Sequence, residues 1–242
     1  MQARSDLATC AVVLAGGTGT RVGPGLPKQL IKVADKTIIE HTLDVLQSCD
    51  VIDELYVVMS VAHIDLLSEL LGSRYSKLHR ILPGGATRSD STRAALAALG
   101  ERECKVLLHD AVRPFVDDRI LGDCVRALDH DDAVNVVIES SDTIVEISPD
   151  GAVVATPDRS RLRRVQTPQG FLLSTVREAY RVAAEANFSG ATDDCSVVLR
   201  FMPGTRIATV DGSEENIKIT RPLDLIIADC LFGQSGRTPP GI

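Results

Sequence analysis

Apolar residues along this chain fall into two spacings. Short continuous runs at 10–14 (CAVVL), 55–59, 81–82, 106–109 and 133–138 read as buried strands. Between them lie segments with apolar positions three and four apart. These are 37–48, where Ile38, Ile39, Leu43 and Leu46 share a face, then 64–71, the Ala- and Leu-rich 89–99, and 119–128. Such alternation predicts an α/β fold: a Rossmann-like, mainly parallel sheet between two helical layers, with right-handed crossovers. Ligands of these sheets bind at the carboxyl ends of the strands. Three conspicuous loops stand at those ends: 15–25, 84–91 and 110–114.

The pattern changes after Ser140. Residues 143–147 alternate, Pro149-Asp150-Gly151 is a turn signal, and 152–155 are apolar. That predicts a β-hairpin projecting as an arm over about 140–166, not another βα unit. A helix is expected at 174–186, strands at 207–210 and 217–220, and a helix at 222–231 opening on Pro222. A single domain is expected over 1–232, and the Gly- and Pro-rich 233–242 reads as an unstructured tail.

Composition narrows the classes. A chain of 242 residues, 44% hydrophobic and 24% charged, buries enough surface to fold without a disulfide or metal. The net charge of -7 argues against duplex nucleic acid as a partner. The six cysteines form no CxxC pair and sit mostly in apolar runs, as small hydrophobes do in a reducing compartment. Residues 1–9 are mixed and polar, and no apolar stretch approaches the roughly 20 residues of a membrane span. The expectation is a cytoplasmic protein with no membrane contact.

The first loop carries chemistry. It reads Leu14-Ala15-Gly16-Gly17-Thr18-Gly19-Thr20-Arg21, then Pro27-Lys28. Glycines let backbone N–H groups crowd phosphate oxygens, and Arg21 and Lys28 add cations where a triphosphate would lie. Lys28 is followed by Gln29, which excludes the Walker pattern, and Gly23 falls one place late for the dinucleotide pattern. His41, His63, His79 and His130 show no metal spacing, and His109 is read as structural.

The loop resembles the signature of the sugar nucleotidyltransferases. Further segments resemble one branch, the cytidylyltransferases of methylerythritol phosphate and ribitol phosphate. They are Gly84-Gly85-Ala86-Thr87-Arg88 with Ser91, His109 to Pro114, Asp142-Thr143, Asp158-Arg159, Gln166-Thr167-Pro168-Gln169, Thr192-Asp193-Asp194 and Asn216 to Thr220, in family order. The resemblance implies attack of a polyol-phosphate oxygen on the α-phosphorus of CTP, releasing pyrophosphate. The nucleophile is already anionic, so positioning and charge neutralisation carry the reaction. Arg21, Lys28 and Lys218 are then the catalytic cations, and Asp110 the neighbour of Mg²⁺, which favours one or two carboxylates plus phosphate oxygens. The resemblance further assigns CTP to Ala15, Gly16, Gly17, Gly84, Gly85 and Ser91. It assigns the polyol phosphate to Asp110, Arg113, Thr143, Arg159, Thr167 and Thr192, with an arm exchanged across a homodimer.

The substrate signals are mixed. Ala15-Gly16-Gly17, Asp110-Ala111-Val112-Arg113-Pro114 and Asp142-Thr143-Ile144-Val145-Glu146 look like ribitol-phosphate enzymes, some of which pair with a reductase. The segments 156–162 and 167–171 look like actinobacterial methylerythritol-phosphate enzymes. The balance favours ribitol 5-phosphate, with methylerythritol 4-phosphate the alternative. A non-catalytic nucleotide-binding module would be expected to lose Lys28, Lys218 or Asp110, and all three are present.

Overall fold

A computed structural model of the chain describes residues 3–17, 27–188 and 190–234. Its strands are β1 Thr9–Ala15, β2 Lys32–Val33, β3 Lys36–Thr37, β4 Glu54–Met59, β5 Leu78–Pro83, β6 Lys105–Asp110, β7 Ala133–Glu139, β8 Glu146–Ile147, β9 Val153–Ala155, β10 Arg163–Leu172 and β11 Ile207–Asp211. Its helices are α1 Ile38–Ser48, α2 Ile64–Leu71, α3 Arg88–Ala98, α4 Asp118–Ala127, α5 Leu173–Glu185, α6 Asp194–Phe201 and α7 Pro222–Gln234.

Seven strands form one sheet in the order β11-β7-β10-β6-β1-β4-β5. All neighbours are parallel except β10, which runs antiparallel between β6 and β7. The period-2 alternation of β1 divides the core. Ala11, Val13 and Ala15 pack on the face covered by α1, α2 and α4, whereas Cys10 and Val12 pack on the face covered by α3, α5 and α6. A third cluster joins α7 to the site: Ala228 packs with Val33, Ile38, Val112 and Ile219. Two helices start on reciprocal capping boxes, Thr37 with Glu40 at α1 and Thr87 with Asp90 at α3. Among the described residues no helix is long and apolar enough to cross a membrane.

The structure departs from the expected elements in several places. Strand β10 was not foreseen, because Arg163, Arg164, Gln166, Pro168 and Gly170 break any apolar alternation. Helix α6 was not foreseen either; it is eight residues long and starts where the Asp193 side chain accepts from the Ser196 N–H. Residues 217–220 form no strand; the segment is tied by the Ile219 N–H donating to the Val112 carbonyl at 2.9 Å. The arm is shorter than 140–166, since Arg163 already pairs with Glu139 of β7. Between these limits β8 and β9 form a separate two-stranded ribbon. Helix α7 continues to Gln234, past the expected start of the tail, and 235–242 lie outside the described residues.

Candidate active site

A cavity of about 300 Å³ opens at the carboxyl ends of β1 and β6. Its walls come from four segments: Leu14 to Gly17 with Lys28 and Gln29, Gly85 to Arg88 with Ser91, Asp110 to Val112, and Lys218. Each is held by a specific contact. Gln29, buried, donates its amide to the Ala15 carbonyl and, at 3.3 Å, to that of Gly17. This brings the turn carrying Lys28 back beside the glycines that end β1.

Ser91 joins the two glycine segments. Its hydroxyl donates to the Thr87 carbonyl at 3.1 Å and accepts from the Gly85 N–H at 3.2 Å. A methyl group on Gly16 or on Gly84 would lie 3.1 Å from that same oxygen, and one on Gly85 would lie 2.1 Å from the Asp90 Cβ. Gly85 therefore has no room for a side chain.

Asp110 stands at the end of β6, nearly buried, with Lys218 Nζ at 2.8 Å and Arg113 Nε at 3.8 Å. Burial raises its carboxyl pKa, but the charges of Lys218, Arg88 and Arg113 outweigh burial and hold it below the ordinary carboxylate value. The Asp110 N–H donates to the Thr167 hydroxyl at 3.1 Å, and that oxygen lies 3.1 Å from His109 Nδ1. His109 Nε2 lies 3.0 Å from the Arg113 carbonyl, an acceptor only, so Nε2 carries the proton. Full burial pushes the His109 pKa down to about 4, which keeps the ring neutral. Lys218 is positioned by its neighbours: Asn216, buried, donates to Gln166 Oε1 and the Thr167 carbonyl, and its own carbonyl accepts from Arg113 Nη1 at 2.7 Å.

The structure thus brings together Ala15, Gly16, Gly17, Lys28, Gly85, Ser91, Asp110 and Lys218, with Gly84 backing onto Ser91. Arg113 and Thr167 lie beneath the cavity instead of lining it, turned inward to the Asn216 carbonyl and the Asp110 N–H. Thr192 is exposed and donates to Asp193 at 3.3 Å, away from the cavity. Thr143 and Arg159 sit on the exposed arm. Arg159 donates to the Ser141 carbonyl at 2.9 Å and lines a separate crevice of about 780 Å³ that shares no residue with the first. Arg21 lies outside the described residues.

Arg88 and Gln29 also line the cavity, and neither is given a role by the sequence reading. Arg88 was visible inside the Gly-Gly-Ala-Thr-Arg motif, at the first position of a capped helix. Nothing in the spacing marks Gln29. No group of three or more His, Cys, Asp or Glu that could hold a metal exists among the described residues. The Asp110 carboxylate, beside Lys28, Arg88 and Lys218 in the same cavity, nevertheless fits Mg²⁺, which takes few protein ligands and completes its shell with phosphate oxygens and water.

Comparison with known proteins identifies relatives along nearly the whole chain. The family profile described as IspD, 2-C-methyl-D-erythritol 4-phosphate cytidylyltransferase, matches residues 9–234. A Thermobifida fusca protein named 2-C-methyl-D-erythritol 4-phosphate cytidylyltransferase is 46% identical over 230 residues, 92% of either chain. The Haemophilus influenzae bifunctional ribulose 5-phosphate reductase/CDP-ribitol pyrophosphorylase Bcs1 is 42% identical, matching 91% of this chain but 47% of its own length. Among solved structures, the 4-diphosphocytidyl-2C-methyl-D-erythritol synthase of Anaerococcus prevotii superposes with a TM-score of 0.85 at 30% identity, covering 96% of this chain and all of that one.

Proposed function

Because the chain belongs to the IspD family of cytidylyltransferases, we propose that the β1–β6 cavity is where CTP is bound and attacked. The protein is a CTP-dependent cytidylyltransferase acting on a polyol phosphate. One observation carries the placement: two lysines, Lys28 and Lys218, converge with Asp110 and the glycine segments on a single cavity at the strand ends.

In the proposed reaction a phosphate oxygen of the polyol attacks the α-phosphorus of CTP. A P–O bond forms, the bond to the bridging oxygen of the β-phosphate breaks, and the electron pair leaves with pyrophosphate. No base is needed for an anionic nucleophile, so Lys28 and Lys218 act by stabilising charge on the α-phosphoryl oxygens. Arg21 joins them on the strength of the sequence motif. Lys218 lies on Asp110 in the structure, so it is held on the cavity wall by a fixed counter-charge. The residue that would hold Mg²⁺ is Asp110; bound there, the ion supplies divalent counter-charge to the phosphate oxygens. The base and ribose are assigned to the Ala15–Gly17 and Gly84–Gly85 backbone with Ser91, whose small residues let a flat ring lie against the chain.

For the second substrate we favour 2-C-methyl-D-erythritol 4-phosphate, which reverses the balance drawn from the motifs. The support is the full-length match to the Thermobifida fusca protein, together with the 156–162 and 167–171 segments. Ribitol 5-phosphate is the second reading, favoured by the match to the Haemophilus influenzae protein and by Ala15-Gly16-Gly17; a reductase would then supply the substrate. Polyol-phosphate contacts from Thr143 and Arg159 would come from the arm of a second copy, because in one chain Arg159 and Lys28 line different cavities. Pyrophosphate release measured with CTP and each of 2-C-methyl-D-erythritol 4-phosphate, ribitol 5-phosphate and glycerol 3-phosphate tests the reading. A higher kcat/KM for the first is expected; preference for ribitol 5-phosphate would replace it with the second, and no release with any would remove both.

A further inference from the structure

The helix that opens the nucleotide wall is tied to a carboxylate that never reaches the cavity. Asp194, the first residue of α6, is fully buried. Its Oδ2 lies 2.5 Å from Arg88 Nη2, and its Oδ1 accepts from the Thr92 hydroxyl at 3.0 Å and the Tyr180 hydroxyl at 2.6 Å. Arg88 and Thr92 are four residues apart on α3, so one carboxylate grips a single face of that helix at its first two turns. Ser91, which couples both glycine segments, lies between them.

Arg88 is also a cavity residue. It lines the same walls as Lys28, Asp110 and Lys218, and its charge helps hold the Asp110 carboxylate ionised. The contact with Asp194 is an ion pair, not an aligned hydrogen bond: Oδ2 and Arg88 Nη1 both lack hydrogen-bond partners among the described residues. An arginine left with an unpaired buried donor beside a phosphate-binding cavity is costly to keep unless the site uses its charge.

We infer that Asp194 is a positioning residue for CTP: it holds Arg88, and through Arg88 and Thr92 the start of α3, so that the guanidinium charge and the Ser91 hydroxyl stay on the nucleotide wall. The inference rests on the cavity being the CTP site. It also gives the Thr192-Asp193-Asp194 motif a role that Thr192, which points away, does not fill. Tyr180 on α5 and Gln169 on β10 complete the support, the latter accepting from the Asp194 N–H at 2.8 Å.

Three variants test it by steady-state kinetics and by direct CTP binding: Asp194→Asn, Tyr180→Phe and Arg88→Gln. Asp194→Asn keeps the shape and removes the charge. KM and Kd for CTP should rise about tenfold, with kcat at saturating CTP within about threefold. Tyr180→Phe, which leaves the ion pair intact, should raise both by about threefold. Adding Asp194→Asn to Arg88→Gln should weaken CTP by no more than about threefold further, because the ion pair is already lost and only the Thr92 contact to α3 remains to be weakened. If Asp194→Asn and Tyr180→Phe lower the melting temperature while CTP affinity stays at the wild-type value, the carboxylate is only structural and the inference is overturned. Should Asp194→Asn not fold, Tyr180→Phe alone decides. Lys28→Ala is run alongside: if it too leaves CTP affinity and turnover unchanged, the cavity assignment has failed and not the positioning role.

Discussion

The cavity wall and the arm are built on opposite terms. Around the cavity, Asp110, Thr167, His109, Arg113 and Asn216 are linked by hydrogen bonds in a buried network fixed to β6 and β10. On the arm, Ile147 is 66% exposed, Val153 64% and Val154 60%, and among the described residues the β8–β9 ribbon pairs with no strand of the seven-stranded sheet. A two-stranded ribbon is marginal in water by itself, and contiguous apolar exposure marks an interaction surface. One region is finished by its own chain and the other is not. Replacing a side chain that lines the cavity should therefore leave the fold standing, whereas the arm exposes apolar side chains that a second copy would cover if the arm is exchanged.

The largest effect that separates the two is at Lys28. Lys28→Ala removes a charge from the cavity and should lower kcat by about 10²- to 10³-fold. Its melting temperature and its sedimentation should match wild type, since neither core nor arm is touched. Wild-type turnover in a correctly folded Lys28→Ala protein would remove the lysine from the mechanism.

Acid separates them next. The His109 pKa is pushed from 6.5 to about 4 by burial, so the folded state binds fewer protons than the unfolded state between those values. The stability this withholds is absent as a penalty above about pH 6.5, grows as pH falls, and is complete below about pH 4, reaching roughly 3 kcal/mol. Urea denaturation should show a steep loss across that window. His109→Gln, which can still donate but does not titrate, should flatten it. An unchanged slope would place the acid-sensitive groups elsewhere. The arm has no buried titratable group, so hydrogen exchange in this window should quicken around 109–113 and not around 146–155.

Covering the arm gives the third contrast. If the arm pairs with a second copy, Ile147→Asp with Val153→Asp, which places two charges on the exposed apolar ribbon, should raise the dissociation constant of that dimer on the order of 100-fold. The melting of the seven-stranded body at high protein concentration should shift little. A wild-type protein that sediments as a monomer at micromolar concentration would refute the arm as an interface.

How much of this was legible follows the same division. Strands β1, β4, β6 and β7 are continuous apolar runs buried on both faces, and such runs show in sequence. Strand β10 does not, because its burial is conferred by β6 and β7 on either side and not by its own pattern. The glycines, Lys28, Asp110 and Lys218 were readable because phosphate chemistry demands those residue types. The direction of Arg113 and Thr167 was not, because a motif gives adjacency in the chain but not which side of a turn faces the ligand. Both bond inward, to Asn216 and Asp110. Arg88 stayed hidden for a related reason: its partner Asp194 lies 106 positions away by residue number, and only the tertiary fold joins them.

The smallest expected effect tests whether the arm belongs to the chemistry at all. Arg159 is exposed, donates its side chain to the Ser141 carbonyl, and lines a crevice separate from the Lys28 cavity. If it reaches the polyol phosphate of a second copy, Arg159→Ala should raise the KM for that substrate about tenfold and leave the KM for CTP unchanged, because one charge-assisted contact is lost from one substrate. An equal rise for both substrates would instead mean that the substitution loosens the whole site. Mixing distinguishes reach within a chain from reach across the dimer. A heterodimer of Lys28→Ala with a strongly impaired Arg159→Glu protein contains one cavity with wild-type Lys28 that receives the unaltered arm of its partner, so exchanged arms restore up to one working site in two. Arms that serve their own chain give no such rescue, since each cavity then carries its own defect.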